Sequence, residues 1–322
     1  MLNLKNVLLG FLTVIYFRST IDRTHRSRHN CYRNGGNDDG HDDRMIEPVR
    51  TVTKTVLITG ASSGIGRAAV LKFQQQGWTT IATMRSLEKA GELAALAKVH
   101  CLALDVTNQA SIQTAVSQAL DSVGQIDVLV NNAGYGLMGA FEACTPEQIQ
   151  RQFDTNVFGL MNVTRSLLPH FRDRRSGTIV NVSSIAGKLA FPLYSLYHST
   201  KWAVEGFSES LQYELEPFNI RVKIIEPGPI KTDFYSRSAD LSHRPGLTAY
   251  DAFVAKVLPN MSRAGETGGT PETVADIIYQ AATDQSSRLR YPAGGNAGTL
   301  LLLRKLLSDR AFSSLVRKIV VR

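Results

Sequence analysis

Short, largely apolar, β-rich runs recur along this chain, with a helix-patterned stretch between each and the next. The runs are Thr55–Thr59, Trp78–Met84, Val99–Leu104, Ile126–Val130, Thr178–Val182 and Ile220–Ile225. Strands without polar alternation are covered on both faces, and that is the mark of a parallel sheet. The intervening segments Ile65–Gln76, Leu87–Ala97, Gln109–Val123, Pro146–Arg172 and Ser195–Glu216 read as helices. Parallel strands need crossovers of that length, so the pattern predicts an α/β fold with a doubly wound parallel sheet. From Lys231 to Gly269 the chain turns rich in Gly, Pro and Ser and reads as a mobile insertion. Helix returns at Pro271–Ala282, and Leu289–Tyr291 reads as a last strand. Leu300–Leu307 and Ala311–Val321 form basic amphipathic helices, read as packed on the body, with membrane-surface contact as the alternative.

The chain has 322 residues, 43% hydrophobic and 20% charged, enough for a large core. Its net charge of +8 is compatible with nucleic acid or membrane, but no basic cluster is interleaved with aromatics, so nucleic acid is not expected. Cys31, Cys101 and Cys144 are sparse and lack metal spacing, as reduced cytoplasmic thiols would. The histidines form no ligand set, and no metal is assigned.

Residues 1–50 read as an N-terminal extension and 51–322 as one domain. Val7–Phe17 is apolar and is followed by Arg18, Arg23, Arg26 and Arg28. It is shorter than the roughly 20 residues that span a bilayer, so a signal-like or membrane-associating segment is the reading left open. The following arginines would keep that side cytosolic. Arg18–Glu47 is polar and reads as disordered. Alternatively, residues 1–44 precede a start at Met45 and are absent from the working protein.

Thr59-Gly60-Ala61-Ser62-Ser63-Gly64-Ile65-Gly66 lies between the first strand and the first helix. Glycines permit a tight turn and close approach of a diphosphate, and a helix N-terminus offers free N–H groups and a positive dipole end. The spacing is GxxxGxG rather than GxGxxG. An acid at the end of the second strand would bind the ribose 2′-hydroxyl of NAD and repel a 2′-phosphate. Here Thr83-Met84-Arg85 supplies no acid, and Arg67 follows the last glycine. Two guanidiniums suit a phosphate, so NADP(H) is favoured, with NAD(H) the alternative if the arginines are only solvated.

Tyr197-His198-Ser199-Thr200-Lys201 places a phenol and an ammonium one helical turn apart. A nearby cation favours the phenolate and makes the tyrosine usable for moving a proton to or from an alcohol oxygen. His198 and Ser199 are expected to point elsewhere.

With the glycine turn, Asn131-Asn132-Ala133-Gly134 and YxxxK in this order, the chain resembles the short-chain dehydrogenase/reductase family, more loosely its hydroxysteroid and retinol dehydrogenases. The likeness runs from about Thr55 to Thr232. It implies a Rossmann-like three-layer α/β/α domain and hydride transfer between a nicotinamide and a carbonyl or secondary alcohol. It further implies catalytic Ser184, Tyr197, Lys201 and Asn156. Ser184 would orient the substrate oxygen, with Ser183 the competing structural serine. Asn156 would hold a water linking Lys201 to solvent. The cofactor would be met by Gly60, Ser62, Ser63, Gly64, Ile65 and Gly66 at the turn and by Arg85. Asp105 and Val106 would meet the adenine, with Asn132, Ala133 and Gly134 beside the fourth strand. Pro227, Gly228, Ile230 and Thr232, with Tyr197 and Lys201, would surround the nicotinamide ribose and ring.

Each has a plainer alternative: Asn131–Gly134 as a turn, Asn156 as a core amide, Asp105 as a helix N-cap. The apolar Ala190–Tyr194 and the segment from Phe234 to about Leu258 suit a hydrophobic substrate. Relatives pair through the two long helices, so a homodimer or homotetramer is expected. The competing function is a dinucleotide-binding sensor or scaffold without chemistry.

Overall fold

The structure is a computed structural model that describes residues 53–232, 234 and 239–321. The N-terminal expectations lie outside the described residues. The glycine turn joins strand β1 (Thr55–Ile58) to helix α1 (Gly64–Gln75). Then follow β2 (Thr79–Met84), β3 (Val99–Ala103), α2 (Gln109–Val123), β4 (Val128–Asn131) and the short β5 (Gly136–Met138). Helices α3 (Pro146–Phe153) and α4 (Leu160–Arg174) precede β6 (Gly177–Val182), α5 (Ser195–Leu215) and β7 (Ile220–Pro227). The chain continues through β8 (Ala239–Leu241), α6 (Asp251–Glu266), α7 (Pro271–Thr283) and β9 (Arg290–Ala293). Helices α8 (Ala297–Leu306) and α9 (Asp309–Val316) come last.

The main sheet is parallel throughout, in the order β3-β2-β1-β4-β6-β7-β9. Successive residues of β1 serve opposite faces, as a period of two requires. Val56 and Ile58 pack with Ala69 and Phe73 of α1 and Ile278 of α7. Leu57 packs on the other side with Ile112 of α2 and Leu167 and Phe171 of α4. These are the three layers expected. The order of connection reverses between β1 and β4, and the carboxyl ends of those strands open the crevice where open α/β sheets bind ligands.

The structure departs from the expected elements in three places. Leu87–Ala97 is not one helix but two short 3₁₀ turns, Leu87–Lys89 and Gly91–Ala95, separated where Gly91 takes φ +54°. Pro146–Arg172 is two α-helices joined by a π-helical turn over Asp154–Gly159. The Gly/Pro/Ser-rich insertion contains β8, paired with β5 in a small second sheet, and the sixteen-residue α6. Its apolar spacing (Val254, Val257, Leu258, Met261) was outweighed in the sequence by the surrounding turn residues.

Phe73 is fully buried, with Trp78 and Tyr279 edge-on at ring-centroid distances of 5.1 and 5.2 Å. This cluster ties α1 to α7. Phe73→Ala is expected to lower unfolding free energy in urea by about 3–5 kcal/mol, without changing ligand binding by the folded fraction.

Candidate active site

The glycine turn is fixed from the β4 side. Thr59 Oγ1 accepts from the N–H of Asn132 (3.0 Å) and Ala133 (3.1 Å). Asn132 Nδ2 donates to the carbonyls of Thr59 (2.9 Å) and Gly60 (3.2 Å). Gly60 has φ +68°, and a Cβ there would lie 2.8 Å from Ala133 Cα. A Cβ on Gly66 would collide with the Gly60 carbonyl and with Asn132 Nδ2. Glycine is thus required at both positions by backbone approach.

Ser63, the N-cap of α1, makes no side-chain capping bond, and the first turn carries no acid. Helices α2, α3, α7 and α9 are by contrast capped by Asn108, Thr145, Thr270 and Ser308. The N-terminus of α1 therefore presents its N–H groups and dipole to a cleft, where an anion such as a diphosphate fits them. Thr232 lies across from it: a Cβ on Gly64 would be 3.5 Å from Thr232 Cγ2.

The cleft has a volume of about 1180 Å³. The turn residues Gly60, Ser62, Ser63, Gly64 and Ile65 line it. So do Arg85, Asp105, Val106, Asn132, Ala133 and Gly134. Pro227, Gly228, Ile230 and Thr232 form another wall, with Ser184, Tyr197 and Lys201 between. Two expected residues are not on its surface. Gly66 is buried in the turn packing, and Asn156 is buried behind it.

Asn156 sits in the π-helical turn. Its Oδ1 accepts from Tyr135 N (3.0 Å), and its Nδ2 donates to Tyr135 O (2.9 Å) and Thr200 Oγ1 (3.2 Å). One turn earlier, the fully buried Gln152 donates to Tyr135 O (3.0 Å) and accepts from Leu137 N (2.6 Å). Together they hold the loop after β4. Asp105 is not the cap of α2, which is Asn108; Asp105 Oδ1 instead accepts from Thr107 N and Oγ1.

Ser184 ends β6. Its Oγ donates to Pro227 O at 3.4 Å and accepts from Ala186 N at 3.1 Å. Ser183 Oγ is buried against Gly187 and Glu205: a Cβ on Gly187 would meet both it and Glu205 Cγ. Tyr197 is nearly buried, with Phe234 at 5.1 Å between ring centroids. Lys201 Nζ lies 5.7 Å from the Tyr197 ring centre and donates to Val182 O at 2.9 Å. Burial lowers the Lys201 pKa to about 8, against the pull of Glu205 one turn on. Glu205 is itself buried and accepts from Arg290 Nε at 3.0 Å, while Arg290 also reaches Glu209. Burial, and then Glu205, push Glu226 up to about 7.

The paired guanidiniums of the sequence reading are not the pair found. Arg67 is bound to Glu92 and stays off the cleft wall, whereas Lys89 joins Arg85 there. The reading also missed Gln152, recognisable only as the residue one turn before Asn156. His198 has a structural part that the sequence did not show. It is buried, and its Nε2 accepts from Phe191 N (2.9 Å) while Nδ1 donates to Ala186 O (2.8 Å). That single neutral tautomer latches the loop beside Tyr197.

The family model described as short chain dehydrogenase matches residues 54–241. The chain belongs to the short-chain dehydrogenase family. It is similar to the uncharacterized oxidoreductase YusZ of Bacillus subtilis, 42% identical over 82% of this chain and 98% of that one. It is similar to retinol dehydrogenase 8 of Bos taurus, 41% identical over 79% and 85%. A short-chain dehydrogenase structure from Streptomyces avermitilis superposes with TM-score 0.71 at 36% identity, covering 82% of this chain and 96% of that one. The 3-ketoacyl-(acyl-carrier-protein) reductase of Brucella melitensis with NADH (TM-score 0.64, 26% identity, 76% and 98% covered) has the same fold. So does ElxO with NADP bound (0.64, 28%, 77% and 99%). This short-chain dehydrogenase is therefore an oxidoreductase acting on CH–OH or carbonyl groups, and the non-catalytic sensor gives way. Its structural neighbours bind NAD or NADP. No helix among the described residues is long and apolar enough to cross a membrane.

Burial lowers the His198 pKa below its usual 6.5. The unfolded chain then binds the extra proton first, so stability is full above 6.5 and falls as pH drops from there through the folded value. His198→Phe is expected to cost about 1–3 kcal/mol near neutrality by unpairing two backbone groups, and to flatten this pH dependence in urea titrations. The half-buried His170, shifted down likewise, keeps its own part of the slope.

Proposed function

We propose that this short-chain dehydrogenase uses NADP(H) to interconvert a hydrophobic carbonyl compound and its secondary alcohol. The observation that carries the reading is the meeting of Ser184, Tyr197 and Lys201 in the cleft into which the uncapped end of α1 opens. When bound, the nicotinamide supplies or takes up the hydride. Ser184 Oγ holds the substrate oxygen. Tyr197 gives its proton to that oxygen in reduction and removes it in oxidation. The Lys201 ammonium favours the phenolate form between these events and stands where it meets a ribose hydroxyl. The Asn156 side chain is engaged with Tyr135 and Thr200, so a relay water would meet its second Oδ1 lone pair or its backbone.

Arg85 and Lys89 on the cleft wall, with no acid closing β2, support a 2′-phosphate. Tyr194, Phe234 and Met261 make the wall around Tyr197 apolar, and the bovine relative is named for retinol. Sparse cysteines support a cytoplasmic setting. Exposed Phe158 and Tyr213, on or beside the two long helical segments, support pairing of copies there.

Tyr197→Phe is expected to lower kcat at least about a hundredfold in an NADPH-oxidation assay over ketones and aldehydes. NADPH binding, followed by fluorescence titration, should stay within about threefold; full turnover in the variant refutes the assignment. In Arg85→Ala/Lys89→Ala, affinity for NADPH should fall about ten- to a hundredfold while that for NADH holds. Equal losses for both cofactors overturn the NADP(H) preference.

A further inference from the structure

Behind the catalytic cleft lies a second, outer groove of about 510 Å³. The two share one partition, built from α9 and the π-helical turn Arg317–Val321 that extends it. Leu315, Ile319 and Val320 line the catalytic side. Ser313, Arg317 and Val321 line the outer side, while Phe312 and Val316 line both. Residues three and four apart stack along one helix face, so a helix lying between two hollows divides its side chains in this way. Phe191 of the latched loop is also common to both.

The outer groove is apolar where it meets the partition. Leu189, Pro192, Trp202 and Phe253 form its far wall, with Trp202 50% and Phe253 39% exposed. Trp202 directly follows Lys201, so the groove reaches the outside of the helix that carries the catalytic pair. Its charges are largely self-compensated: Arg304 pairs with Asp309 at 2.6 Å and stacks over the Phe312 ring at 5.4 Å. Only Arg317 is left at the rim with no ion pair among the described residues. Such a surface gains from covering by hydrocarbon and offers little to a polar ligand.

We infer that the outer groove receives the distal hydrocarbon tail of the substrate, passing by Phe312 and Phe191, and that the substrates are elongated long-chain ketones or alcohols. The inference rests on the proposed carbonyl–alcohol chemistry and narrows its substrate class. The occupant follows from continuity: Phe191, Phe312 and Val316 line both the cleft and the groove, so a chain anchored at Tyr197 that outgrows the cleft on this side meets the groove next.

The test has a binding arm and a kinetic arm. The chain has two tryptophans, and Trp78 lies in the α1–α7 layer, so in Trp78→Phe the emission comes from Trp202 alone. A methyl ketone of about sixteen carbons, brominated at its far end, should quench Trp202 saturably, and one of about six carbons should not. Ser313 is exposed and faces only the outer groove. Ser313→Glu should raise KM for the long ketone at least about tenfold and leave the short one within about twofold. An unchanged chain-length profile with no saturable quenching overturns the inference, while turnover of the short ketone keeps the catalytic reading. Absence of all turnover defeats the catalytic reading, and the quenching arm still reports on the groove. Quenching by brominated phospholipid vesicles but not by the dispersed ketone assigns the face to a bilayer and overturns the proposal.

Discussion

Everything at the cofactor end of this molecule depends on two backbones coming closer than side chains allow. Where β1 and β4 part, Gly60 rests against Ala133, Gly66 rests against the Gly60 carbonyl, and the Asn132 amide bonds to the carbonyls of Thr59 and Gly60. The sheet's reversal of order opens a crevice there, and the clamp aims α1 into it. A capping side chain would occupy the N–H groups that the crevice exposes, and Ser63 makes no such bond. The same few contacts thus set the turn, the direction of the helix and the polarity of the cleft.

At the catalytic end the governing term is electrostatic. A lysine buried as deeply as Lys201 loses much of its preference for the charged form, and the proposed chemistry needs that charge. The compensation lies behind it on α5, where the buried Glu205 carboxylate is held by Arg290 from β9. Glu226 of β7 shares this site, and burial together with the Glu205 carboxylate pushes it up to about 7. The arrangement links β7 and β9 to one ammonium, so the last strand of the sheet reaches Lys201 through the two ion pairs of Arg290 with Glu205 and Glu209 of α5.

Much of this was legible in the residues. The parallel sheet, its layers and the glycine turn follow from short-range patterns, because apolar period and glycine placement are local properties, whereas Ser184 was reached only through the family resemblance. What escaped was non-local or masked. Lys89 reaches the cleft because Gly91 breaks the expected helix into two turns. Arg67 is silenced by Glu92, a partner invisible until the chain folds. The contacts of His198 were hidden because they join two backbone groups of a neighbouring loop, and only the fold brings these to its ring. Helix α6 was hidden by the turn-forming residues around its apolar spacing.

The wide turn at Asp154–Gly159 has a consequence for how this chain tolerates change. A π-helical turn accommodates one residue more than an α-helical one, and each α-helical residue advances the face by about 100°. The extra residue lets Gln152 and Asn156 look toward the loop after β4 while Val163, Leu167 and Phe171 still look toward the sheet. Gly159 keeps the spacing tight, since a Cβ there would press on Val106. Loss of any one residue in this stretch would leave every motif spelled correctly and rotate one half of the long segment away from the other. Insertions and deletions are therefore costlier here than substitutions, even where no side chain touches the reaction.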